Sequence, residues 1–134
     1  MRVLVDTHLL LWSAGWPSGP GANSPLPAEA AAVIGDPLNQ PVFSVASLWE
    51  VAIKTGLGRA DFTLDPRLLR RGLLDNGYEE LPIIGHHAVA VLALPPLHKD
   101  PFDRMLVAQA TAEGLVLLTA DRMVASYPGS IRLV

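Results

Sequence analysis

The 134-residue chain contains no cysteine. That absence excludes a thiol nucleophile, a dithiol redox pair, a thiolate zinc site and a cysteine-ligated iron–sulfur cluster, and it is compatible with a reducing compartment. Charge is sparse too: 17% of residues are charged, and 13 acids against 10 Lys and Arg leave a formal charge of −3. This balance excludes a basic nucleic-acid coat protein, though not an enzyme that touches a few phosphates. No apolar run reaches the roughly 18 residues of a membrane span. Asp6 and His8 interrupt the first apolar stretch, so no secretory leader is read there. A cytoplasmic protein with no membrane partner is expected. There is no internal repeat, no charge block, no His-Glu-x-x-His pair, no Walker lysine motif and no Gly-x-Ser-x-Gly elbow.

What is present is apolar content, 50% of the chain, enough for a core that needs neither disulfides nor structural zinc. Val3-Leu4-Val5 reads as a buried strand. Pro17, Pro20, Pro25 and Pro27 among Gly15, Gly19 and Gly21 make residues 15–27 a loop. A helix is expected over Ala28–Ile34, a strand at Val42-Phe43, and a helix from Ser44 or Ser47 to Thr55 with Gly56 as its stop. Asp65-Pro66 and Asp100-Pro101 each pair a cap with a first-turn proline, predicting helices to Asn76 and over Phe102–Glu113. Glu80–Ile83, Leu115–Leu118 and Ile131–Val134 read as further strands, and His86–Leu94 as a helix. Short apolar strands alternating with helices predict an α/β fold, a three-layer α/β/α sandwich around a mainly parallel, five-stranded sheet.

Open parallel sheets take ligands at the carboxyl ends of their strands. Asp6 directly follows the first strand and Asp121 follows the fourth after Thr119 and Ala120, so both reach one rim if those strands are parallel neighbours. Each is equally placed to cap the helix after it. Glu50 sits in a segment, Ala46 to Ile53, that is apolar nearly all round, which predicts a helix buried on most of its surface. A carboxylate there is costly without a cation beside it. Two ordinary partners exist: Ser47 at capping-box spacing and Lys54 at i+4; the box fails if the helix begins at Ser44. Asp100 and Asp103 have a similar reading, one capping and the other reaching back from the third helical position. Clustered carboxylates raise one another's pKa unless cations fill the cluster. Oxygen-only donors suit Mg2+ or Mn2+, which can activate water and stabilise a leaving oxygen in phosphodiester hydrolysis.

The segments Val-Asp-Thr-His at 5–8, Ser-Val-Ala-Ser-Leu-Trp-Glu-Val-Ala-Ile-Lys at 44–54, His-Lys-Asp-Pro-Phe-Asp-Arg-Met-Leu-Val-Ala-Gln-Ala at 98–110 and Leu-Leu-Thr-Ala-Asp at 117–121 resemble the PIN domain. They are similar in particular to the VapC-type toxin ribonucleases of prokaryotic toxin–antitoxin pairs. The resemblance spans nearly the whole chain and implies one PIN-like domain over residues 1–134. It implies that Asp6, Glu50, Asp103 and Asp121 form the catalytic, metal-binding site, with Asp6 and Asp103 the most direct ligands and Thr119 supporting Asp6 and Asp121. It further implies Mg2+- or Mn2+-dependent RNA cleavage, a cognate antitoxin as partner, and a homodimer. The proline- and glycine-rich stretch at 15–27 departs from the family's usual first helical hairpin.

Lys54, Lys99, Arg104 and Arg122 lie within a few residues of these acids and are candidates to hold RNA phosphates, or simply to pair with the carboxylates. Arg67, Arg70 and Arg71 form a cationic stripe, more in keeping with a solvated helix face. His8, His86, His87 and His98 have no ligand spacing; His86 and His87 read as structural, and His98 has no assigned role. Trp12 and Trp16 read as core or rim packing. A haloacid-dehalogenase-type site is excluded because position 8 is His rather than Asp, and a receiver because Asp6 stands alone and the tail lacks its lysine. The competing expectation is a catalytically silent interaction module whose acids only cap helices.

Overall fold

Successive side chains of the short apolar strands point to opposite faces of the sheet, and both faces are covered, which sets the architecture. The structure, a computed structural model, describes residues 1–16, 24–58, 62 and 64–134. The strands are β1 (Arg2–Val5), β2 (Gln40–Ser44), β3 (Glu79–Leu81), β4 (Val116–Thr119) and β5 (Ile131–Leu133). The helices are α1 (Thr7–Ser13), α2 (Ala28–Gly35), α3 (Val45–Gly56), α4 (Pro66–Asp75), α5 (Gly85–Ala90), α6 (Pro101–Glu113) and α7 (Arg122–Ala125). The strands form one sheet in the order β3-β2-β1-β4-β5, parallel at every pairing, where the sequence suggested a mainly parallel one.

Val3, Val5, Phe43 and Leu118 point to one face, where Leu9, Leu10, Leu11, Val33, Val51, Leu69 and Leu73 of α1 to α4 cover them. Leu4, Val42 and Leu117 point to the other, against Leu106 and Val107 of α6, Val124 of α7 and Tyr127. The result is the expected three-layer sandwich. Its helices begin where the sequence placed caps: Ser44, Asp65, Asp100 and Asp121 each accept a backbone N–H of the following first turn. Gly114 ends α6 at φ 67°, a left-handed conformation that favours glycine.

Three expectations are corrected. β3 stops at Leu81 because Pro82 has no donor to continue the ladder. The expected helix over His86–Leu94 divides into α5 and a 3-10 turn at Val91–Ala93. α3 is not buried on most of its surface: Trp49, Ile53 and Leu57 are 59%, 42% and 65% exposed along one side, while Ala46, Ser47, Glu50 and Val51 face inward. Of the loop read at 15–27, residues 15–16 and 24–27 are outside regular elements and 17–23 lie outside the described residues.

Leu117 is fully buried and Leu68 is 64% exposed. Leu117→Ala should cost about 2–5 kcal/mol in urea unfolding, and Leu68→Ala less than about 0.5 kcal/mol. Equal costs would contradict the assignment of Leu117 to the core.

Candidate metal centre

β1 and β4 lie side by side, and the strand order reverses between them, since β2 and β3 lie on one side and β5 on the other. At such a switch point the helices leave the sheet on opposite faces and open a crevice at the strand ends. Asp6 stands at the end of β1. Thr119 ends β4, and its buried hydroxyl donates to Asp6 Oδ2 at 2.6 Å while accepting the Asp121 N–H at 3.0 Å. One hydroxyl thus ties the Asp6 carboxylate to the backbone of Asp121. From α3, Glu50 reaches the same region through a helix anchored by Ser44, whose Oγ accepts the Ala46 N–H at 3.0 Å.

The bland explanations now separate. Asp100 caps α6 through Phe102 N at 2.8 Å and Asp103 N at 3.2 Å, and Asp121 caps α7 through Met123 N at 2.8 Å. Asp6 occupies the N-cap position of α1 without a capping hydrogen bond. The Ser47 capping box does not form, because α3 starts earlier; Ser47 Oγ instead meets Thr7 Oγ1 at 2.7 Å. Lys54 does pair with Glu50, Nζ to Oε2 at 2.7 Å. Asp103 does not reach back to its helix start, and its Oδ2 lies 2.9 Å from His98 Nε2.

After these bonds are made, Asp6 Oδ1 and Glu50 Oε1 remain buried with no hydrogen-bond partner among the described residues. Burial raises the Asp6 carboxyl above its ordinary value, against the lowering effect of Thr119. Asp103 is pushed up to about 7 by burial first, then by the charges of Asp6 and Asp100, with Glu50 adding to the effect. Donor atoms of His98, Asp103 and Asp121 lie within 4.8 Å of one another. Carboxylates that repel one another and leave buried oxygens unsatisfied are what a divalent cation relieves, so the donor set fits Mg2+ or Mn2+.

A cleft of about 400 Å³ beside the acids is lined by Asp6, His8, Trp12, Ala120, Asp121 and Arg122. Arg122 therefore borders the site, and Lys99 is exposed just before α6. Arg104 is turned elsewhere, donating to Pro95 O, Val91 O and Tyr127 Oη at 3.0–3.2 Å. Its neighbour Asp103 faces the site, but successive helical residues diverge by about 100°. Arg67 and Arg70 pair with Asp65 and Glu80, as a solvated face does. His87 is buried against Glu113 at 2.7 Å. Trp16 packs on Phe62. His98 is the residue at the site that sequence reasoning left without a role; its place five residues before Asp103, across a helix start, was the available signal.

An open all-parallel sheet with carboxylates at its switch point defines an α/β protein whose ligand crevice is acidic. The PIN domain family model matches residues 3–129, and the protein belongs to the PIN domain family. No curated protein matches the chain. Among solved structures it is similar to one of VapBC2 from Rickettsia felis bound to a DNA fragment from its promoter, with TM-score 0.68, 12% identity and coverage of 99% of this chain and 98% of that one. A toxin–antitoxin complex from Klebsiella pneumoniae gives TM-score 0.60 at 18% identity, covering 97% and 95%. VapBC-1 from nontypeable Haemophilus influenzae gives 0.59 at 16%, covering 99% and 98%. At these identities the likeness is one of fold.

Because the folded protein holds the Asp103 proton more tightly than the unfolded chain, the stability associated with it is complete below about pH 4 and lost as pH rises through about 7. The melting temperature of metal-free protein should therefore fall between about pH 5 and pH 8, and Asp103→Asn should flatten that fall. Identical profiles for the two proteins would contradict the assignment.

Proposed function

We propose that the protein is a Mg2+- or Mn2+-dependent endoribonuclease acting through one domain over residues 1–134, and the toxin of a toxin–antitoxin pair. The observation that carries the reading is the pair of buried, unpartnered carboxylate oxygens, Asp6 Oδ1 and Glu50 Oε1, at the switch point of a PIN fold. Asp6 and Asp103 would hold the cation most directly, with Glu50 and Asp121 completing the acidic set. When bound, the ion supplies Lewis-acid activation of water and stabilisation of charge developing on the leaving oxygen.

The remaining work falls to the chain's own groups. Thr119 orients the Asp6 carboxylate by donating to one of its oxygens. Lys54 offsets part of the Glu50 charge, limiting repulsion before the site is filled. Arg122 and Lys99 are placed to meet substrate phosphates, which positions the chain without reading its sequence. RNA as substrate and homodimerisation rest on the resemblance of the four motif segments to VapC-type toxins. A protein antitoxin as partner rests on that resemblance and on the similar folds, one of which is described as a toxin–antitoxin complex and two as VapBC proteins.

Incubation of total RNA with antitoxin-free protein tests the reading. Cleavage should require Mg2+ or Mn2+, stop with EDTA, and fall by more than about 100-fold in Asp6→Asn and in Asp103→Asn, both remaining folded. Equal cleavage by the wild type and both variants would overturn it.

A further inference from the structure

The segment between the 3-10 turn and α6 carries His98 toward the acids, and a hydrogen-bonded clamp behind it holds that segment in place. Tyr127, 3% exposed and located between α7 and β5, is the hub. Its Oη accepts the His98 backbone N–H at 2.9 Å and one Arg104 Nη1 hydrogen at 3.0 Å, and lies 3.4 Å from His98 O as a donor. Arg104 extends the clamp along the same segment by donating to Pro95 O at 3.0 Å and Val91 O at 3.2 Å. The backbone on either side of the loop is thus tied to one buried phenol and one guanidinium. The imidazole of His98, itself 19% exposed, is left to meet Asp103 Oδ2 at 2.9 Å.

We propose that His98 is a positioning residue for Asp103, seated by the Tyr127–Arg104 clamp, so that Asp103 presents its other oxygen to the cation in a fixed orientation. The inference rests on the metal-dependent reading above and deepens it by assigning His98, Tyr127 and Arg104 to the preparation of one ligand. The physical basis is general: carboxylates that ligate metals are held by hydrogen-bond donors of their own, and loss of such a partner costs about 10–100-fold in metal affinity. Asp6 has the equivalent support from Thr119. The two most direct ligands are thereby each oriented by one donor from a different strand-end or loop.

The test is Mn2+ affinity by electron paramagnetic resonance at about pH 8, where proton competition for the carboxylates is low. Wild type is compared with His98→Ala, His98→Gln and Tyr127→Phe, and each variant's thermal melt is recorded alongside. His98→Ala should bind Mn2+ about 10-fold or more weakly. His98→Gln keeps a donor to Asp103 and should recover most of the loss, and Tyr127→Phe, which keeps the packing of the ring, should weaken binding in the same direction. A purely structural role would lower the melting temperature without this ordering of affinities. Wild-type affinity in His98→Ala overturns the positioning role, and wild-type affinity in Tyr127→Phe overturns the clamp. If wild type itself binds no Mn2+, the metal-dependent reading fails, and this inference with it.

Discussion

The arrangement depends on one electrostatic constraint: carboxylates brought to the end of a parallel sheet, where water no longer solvates them fully and no group among the described residues satisfies all their oxygens. An unpaired charge in such surroundings is costly. The fold tolerates Asp6 and Glu50 there because β1 and α3 are locked by apolar packing that does not depend on the acids, with Leu4, Val5, Phe43 and Leu118 fully buried around them. Thr119 and Lys54 satisfy one oxygen of each carboxylate and leave the other. The site is therefore a stable fold with a local electrostatic deficit that a cation can fill.

Capping and ligation are not exclusive alternatives. Asp121 Oδ1 is occupied by Met123 N, which orients the side chain at the start of α7 without consuming its second oxygen. Asp100 caps α6 and adds negative charge beside Asp103, contributing to the raised pKa there. A helix start can thus hold an acid in place and also bring it to a metal site, which is why the identity of the residue alone did not decide its role.

Much of this was legible in the sequence because the signals were local. Asp-Pro pairs at 65–66 and 100–101 start α4 and α6, and the apolar runs at 3–5 and 115–118 fall in or beside β1 and β4. The meeting of Asp6 and Asp121 at one rim needed only the adjacency of those strands, which the pairing supplies. Less legible were features set by tertiary contacts. Hydrophobicity around Trp49, Ile53 and Leu57 suggested burial, yet periodicity cannot distinguish a covered apolar face from an uncovered one. Arg104 adjoins Asp103 in sequence but points along a different helical azimuth, toward Tyr127. His98 meets Asp103 from a loop anchored by Tyr127, 29 positions away, and by Arg104.

The central claim, that buried carboxylates left with unpartnered oxygens at the switch point of the sheet form a cation site, is tested most directly by counting the protons released when Mn2+ binds. Titration calorimetry in buffers of different ionisation enthalpy gives that number. With Asp103 near 7, binding at about pH 6.5 should release a substantial fraction of a proton, and binding at about pH 8.5 distinctly less. Binding with no proton release at the lower pH, or no binding at either, would contradict the account.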